Sequence, residues 1–157
     1  MPLTIVAVVA GFIILSAVGR SPPNKGSRAA ADRAPSITVR RTRLGRILVT
    51  PKGRTLYLFL QDGTRSSCFS SCARVWPPVL VSGRPRAGAG IDARKLKTVP
   101  RRHSRLRQLT YAGHPLYTTV ADERPGQTEG QGWQGTWFVI SPSGRQVGKA
   151  SASAGGY

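Results

Sequence analysis

Acidic residues are nearly missing from this chain: 157 residues carry 6 Asp and Glu against 24 Lys and Arg, a formal charge of +18. So few carboxylates leave little material for oxygen-ligand metal cages or for acid–base pairs. Histidine is equally scarce, represented by His103 and His114 alone. The 2 cysteines, Cys68 and Cys72, exclude an all-cysteine zinc site, and their spacing excludes both Cys-x-x-Cys redox motifs and the Cys-x-x-Cys-His string of covalent haem. No Ser, His and Asp order or metalloprotease string occurs. The expectation is a protein that is not an enzyme and that carries no cofactor and no metal. The arginine clusters, Arg40, Arg41, Arg43 and Arg46 and then Arg101, Arg102, Arg105 and Arg107, are not interleaved with aromatic residues. A stacking platform for single-stranded nucleic acid is therefore not visible. These arginines are expected to be solvated, giving weak, salt-sensitive attraction to anionic envelope components and no specific nucleic-acid binding.

Long apolar runs are absent apart from residues 3–18, which fall short of the ~20 residues a membrane-spanning helix usually needs. The run reads as the core of a secretory signal, with Ala17 and Gly19 in the small-residue positions before Arg20. No basic residue precedes it and several follow, which for an uncleaved anchor would favour a cytoplasmic C-terminus. Residues 1–19 are thus expected to be a signal peptide or an N-terminal apolar anchor, with membrane attachment only if that segment is uncleaved. Residues 20–43, rich in Arg, Pro and Ala, read as a flexible linker, and residues 149–157, ending Ser-Ala-Gly-Gly-Tyr, as a disordered tail. The folded part is expected at residues 44–148.

What this part contains is a duplication. Gly53, Leu56, Tyr57 and Asp62 recur as Gly113, Leu116, Tyr117 and Asp122 at a constant offset of 60, with Val49 and Thr50 aligned to Leu109 and Thr110 and with Trp76 matched by Trp137. Self-similarity at a fixed period is strong evidence about architecture. A 60-residue unit is marginal alone, burying only ~60% of its unfolded surface. The two copies, about residues 44–82 and 105–147, are therefore expected to share one core about a pseudo-two-fold axis.

Within each copy the pattern is that of strands. Residues 46–50 and 54–60 flank the turn signal at Pro51, Lys52 and Gly53, and the run through Tyr57 and Phe59 is apolar on both faces. Residues 106–111 and 114–120 repeat this around Ala112 and Gly113, and further strands are expected at residues 76–81 and 136–140. Residues 67–75 and 91–96 read as short helical pieces. The class is mainly β with short helical segments, in two pseudo-symmetric repeats forming one small domain.

Cys68 and Cys72, four apart, lie within disulfide reach on a helical turn, which rises ~6 Å over that spacing. In an exported chain they read as a structural bridge ahead of Trp76. Tyr57, Phe59 and Tyr117 read as core aromatics of the repeated strands. Asp62 and Asp122 read as turn residues accepting backbone N–H bonds; the alternative is that the two carboxylates meet across the axis as a catalytic pair or calcium site. His114 reads as an exposed turn histidine.

The strings Leu56-Tyr57-Leu58-Phe59-Leu60-Gln61-Asp62, Ser67-Cys68-Phe69-Ser70-Ser71-Cys72-Ala73 and Trp76-Pro77-Pro78 resemble the bacterial "secreted repeat of unknown function" family, as do residues 109–117, 125–132 and 137–139 of the second copy. Members are described as predicted lipoproteins with a Tyr-x-(Phe/Trp/Tyr)-x-x-Asp motif, matched here by Tyr57, Phe59 and Asp62. Thr119 replaces the motif aromatic in the second copy, and no Cys stands near the end of the apolar run to carry a lipid. The resemblance implies a secreted or extracytoplasmic envelope protein of unassigned biochemistry. The leading expectation is a non-enzymatic binding or structural module. The alternatives are a small redox or cofactor-linked protein using Cys68 and Cys72, and a hydrolase or metal site using Asp62 and Asp122.

Overall fold

The computed structural model describes residues 36–148; the expected signal segment, most of the expected linker and the tail lie outside the described residues. Eight strands and one short helix follow one another as β1 (Thr38–Thr42), β2 (Gly45–Val49), β3 (Tyr57–Phe59), α1 (Ser70–Val75), β4 (Leu80–Val81), β5 (Leu96–Pro100), β6 (Arg107–Tyr111), β7 (His114–Pro115) and β8 (Trp137–Val139). β1 pairs antiparallel with β2, β3 with β8, and β6 with β4, β5 and β7. Ala112 and Gly113, at φ of 50° and 88°, occupy the two left-handed positions that a two-residue hairpin turn requires.

The duplication is visible in the hydrogen bonds. In the first copy Leu56 N–H donates to Leu48 O, and Leu48 N–H to Ile140 O; in the second, Leu116 N–H donates to Leu109 O, and Leu109 N–H to Val79 O. Leu48, not Val49, is therefore the counterpart of Leu109. The offset is 60 after the turn and 61 before it, because the first hairpin's connection is one residue longer. The partners show a second feature. Ile140 belongs to the second copy yet pairs with the first, and Val79 belongs to the first yet pairs with the second. Each copy lends its last strand to the other's hairpin. The axis passes between Tyr57 and Tyr117, whose backbones exchange N–H to O bonds of 2.9 and 3.0 Å.

Because the central strands are covered on both sides, their residues alternate between two cores. One is mainly aliphatic, built on Ile37, Leu48, Leu56, Leu58, Leu109, Leu116 and Ile140. The other is aromatic, built on Tyr57, Tyr117, Trp76 and Trp137 with Ile47, Val49, Val139 and Cys68. This is the two-faced burial expected of the apolar run through Tyr57.

The strands expected at residues 76–81 and 114–120 are shorter, Leu80–Val81 and His114–Pro115, and two further segments differ from expectation. Residues 38–42, assigned to the linker, form β1, with Ile37 fully buried ahead of it. Their composition looks unfavourable for a strand, but pairing with β2 satisfies the backbone while Ile37 and Val39 supply core surface; the folded part thus begins before residue 44. Residues 91–95 make two overlapping turns, Lys95 N–H to Asp92 O and Leu96 N–H to Ala93 O, instead of a helix, and lead into β5. β5 and β6 form the second copy's counterpart of β1 and β2. The short helix expected within residues 67–75 is present as α1.

Candidate functional site

The repeated tyrosine and aspartate are crossed. Tyr57 OH donates to Asp122 Oδ2 at 2.7 Å, and Tyr117 OH donates to Asp62 Oδ2 at 2.6 Å. The strand places each phenol beside the axis, and the residues just after the strand place each carboxylate across it. The second carboxylate oxygen of each aspartate holds its own loop: Asp62 Oδ1 accepts from Ser67 N–H at 2.7 Å and Ser67 Oγ at 2.6 Å, and Asp122 Oδ1 accepts from Glu129 N–H at 2.9 Å. The aspartates therefore do make the expected turn bonds, and each also braces the opposite copy. They are not joined to each other as a carboxylate pair.

The two braces differ electrostatically. Asp122 is 1% exposed, Asp62 is half-buried. Burial pushes the Asp122 carboxyl above the ordinary carboxylate range, against the opposing pull of the Tyr57 and Glu129 donors. Burial, reinforced by the bond to the facing carboxylate, holds both phenols well above the ordinary tyrosine value. Neither tyrosine is suited to give up its proton near neutral pH.

Around these braces the tryptophans pack. Trp76 and Trp137 stack on each other at 3.9 Å and 4°, Tyr57 meets Trp76 edge-on at 5.3 Å, and Tyr117 meets Trp137 edge-on at 5.1 Å. Phe59 stacks on Trp137 at 4.2 Å. Gly130 is required here, since a Cβ would come within 2.6 Å of the Trp76 ring. Where the second copy has Thr119 instead of an aromatic, no equivalent of Phe59 exists; Trp133, tilted at 5.8 Å, lies over Trp76 instead.

Cys68 and Cys72 are bridged, with Cα atoms 5.3 Å apart. Cys68 is buried in the aromatic core and Cys72 is half-buried. The loop is latched by Arg101, whose guanidinium donates to Ser66 Oγ at 2.6 Å, Gln108 Oε1 at 2.8 Å and Cys68 O at 2.6 Å and lies 4.4 Å over the Phe69 ring. Arg101 was expected among the solvated arginines. It is half-buried because protein acceptors replace water at its donors.

Phe59, Trp76, Trp133, Trp137, Val75 and Cys72 line an open groove of about 370 Å³, joined by Gln61, Gln134, Ser71 and Thr136. Trp133 is 45% exposed and Val75 43%. Trp133 rides on a turn in which Gly132, Gln134 and Gly135 all have positive φ, a conformation disfavoured only at the non-glycine Gln134. Trp76 Nε1 is buried without a hydrogen-bond partner among the described residues. No charged side chain lines the groove.

A family model described as "Secreted repeat of unknown function" matches residues 38–80 and 106–141. The chain belongs to that family. Its members are described as secreted, so this is an extracytoplasmic protein whose biochemistry is unassigned. The two matched stretches correspond to the two copies, and the first begins at β1, inside what composition marked as linker. No curated protein and no solved structure matches the chain.

The motif residues Tyr57, Phe59, Asp62, Trp76, Tyr117, Asp122 and Trp137 converge on the axis, while His114 lies half-buried at the edge hairpin. Sequence reasoning missed Trp133, Gly130 and Arg101. Trp133 carried a signal: it is the third tryptophan, has no counterpart at the repeat offset, and sits among Gly130, Gly132 and Gly135. Arg101 carried none, because its partners come from two other segments, residues 66–69 and Gln108.

Proposed function

We propose that the domain is a non-enzymatic binding module of the cell envelope, with the tryptophan groove as its ligand face. The observation that carries this reading is the half-exposed Trp133 over the buried Trp76. Exposed aromatic surface beside an open groove marks a place that a ligand can cover. Pockets of this kind, mainly aromatic with a few neutral polar groups, are typical ligand sites. The groups with acid–base potential point the same way, since Tyr57, Tyr117, Asp62 and Asp122 are engaged in bracing the two copies. Isolated cell-wall fragments should quench and shift the tryptophan emission of the domain. Trp133→Ala should abolish that response with little change in Tm; equal responses from the variant and the wild type would sink the reading.

One observation favours a second reading, thiol–disulfide chemistry: Cys72 lies on the wall of the same groove. A Cys68→Ser/Cys72→Ser variant separates the two. The binding module retains its cell-wall response in that variant, whereas a redox protein loses its function altogether.

A further inference from the structure

The fold carries two dyad-related clefts that have been used differently. One is lined by Arg65, Ser66, Phe69, Pro100, Arg101 and Arg102. Its mate, about 470 Å³, lies between the end of β1 and the loop after Asp122, and its charged lining is Arg40, Arg41, Arg43, Arg124 and Glu129. The correspondence follows from the register: Val39 faces Leu48 as Thr98 faces Leu109, so Arg41 and Arg43 stand where Pro100 and Arg102 stand. In the first cleft the donors of Arg101 are satisfied from within by Ser66, Gln108 and the Cys68 carbonyl. In the second, none of the four guanidinium groups donates a hydrogen bond or makes a salt bridge among the described residues, where the one ion pair is Arg94 with Asp92. Four like charges gathered at one concavity repel one another and raise the local anion concentration. Guanidinium forks match the paired oxygens of phosphate.

We infer that the cleft formed by Arg40, Arg41, Arg43 and Arg124 is a binding site for the phosphate groups of a soluble, chain-like polyanion. A concave site flanked by arginines from the end of β1 and from the loop after Asp122 can approach a strand of successive phosphates from two sides. The site is separate from the tryptophan groove, with which it shares no lining residue, and it does not depend on that groove's role. It is also more specific than a general attraction arising from the charge of +18.

The test is calorimetric titration of the full chain with tripolyphosphate at fixed, low ionic strength. The triple variant Arg40→Gln/Arg43→Gln/Arg124→Gln should bind roughly tenfold more weakly or worse. A control removing the same charge elsewhere, Arg84→Gln/Arg105→Gln/Arg145→Gln, should lose less than about threefold through weakened long-range attraction alone. Since all six side chains are exposed, Tm should be preserved, and Arg124→Gln alone, outside any strand, should show a smaller loss in the same direction. Equal losses in the two triple variants would overturn the proposal in favour of diffuse charge. Binding to phosphatidylglycerol vesicles without binding to tripolyphosphate would overturn it in favour of a membrane-facing surface.

Discussion

The two copies agree where they touch and diverge where they face solvent. Both present a Leu-Tyr strand to the axis, send a carboxylate across to the opposite phenol and lend a tryptophan-led strand to the opposite hairpin. They part company in the loops after the aspartates. The first copy closes its loop with a disulfide and the Arg101 latch. The second uses glycines and Trp133, and sinks its aspartate to 1% exposure. Shared residues thus hold the domain together, while the surfaces able to meet a ligand lie in what is not shared.

The most severe way to break this comparison is to separate the copies. Because β3 needs β8 and β6 needs β4, fragments 36–92 and 93–148 should each be unfolded alone by circular dichroism. A folded, monomeric single copy would refute the reciprocal strand loan.

Next in size is the inequality of the two braces. Tyr57→Phe strands a buried carboxylate and should cost about 2–3 kcal/mol, the worth of a hydrogen bond to a charged group. Tyr117→Phe should cost about 1 kcal/mol, because half-exposed Asp62 keeps its Ser67 donors and gains water. Denaturant unfolding measures both; equal costs would mean that the difference in burial has no energetic consequence. Asp62→Asn should follow the same logic. One amide oxygen can serve the Ser67 N–H or the Tyr117 hydroxyl but not all three donors, so the substitution should cost more than a simple turn cap would.

Removing the bridge by Cys68→Ser/Cys72→Ser affects the first copy only. Closing so short a loop contributes about 2 kcal/mol or less, and Arg101 still holds the loop at Ser66 and at the backbone carbonyl of residue 68. The domain should remain folded, with faster hydrogen exchange confined to the segment ahead of Trp76. Global unfolding on reduction would show that the loop, not the axis, carries the fold.

The gentlest probe is alkali. Both phenols are held above their ordinary value by burial, so the folded state keeps protons that the unfolded chain releases near pH 10. Their contribution is fully present below that pH and is lost as pH rises further, by about 1.4 kcal/mol per pH unit for each tyrosine. Replacing either by Phe should remove its share of the slope in pH-dependent melts, and an unchanged slope would contradict the buried-phenol assignment.

The duplication, the β class, the turn at Ala112 and Gly113 and the helix after Cys68 were all legible along the chain, since each rests on spacing or on local turn chemistry. β1 and β5 were not. Their few apolar residues, Ile37, Val39, Leu96 and Val99, are too sparse to signal a strand, and pairing with β2 and β6 makes them one. The register slip before the turn was hidden for a related reason: a repeated threonine and an apolar neighbour allowed Val49 to be set against Leu109, and only the ladder shows Leu48 there. The aspartates were read by their local turn bonds because a bond to Tyr57 or Tyr117 spans 65 or 55 residues, and no local pattern encodes it.

Read in order, the chain specifies an internally duplicated, strongly basic, disulfide-clamped β domain of a secreted family, because periodicity, charge and cysteine spacing are properties of the linear order. Folding in three dimensions settles that the copies exchange strands, that each tyrosine serves the other copy's aspartate, that Arg101 fills one cleft while four arginines line its mate, and that Trp133 overhangs an open groove. Those are relations between segments far apart in the chain, and they come into being only when hydrophobic burial on two faces brings the segments together.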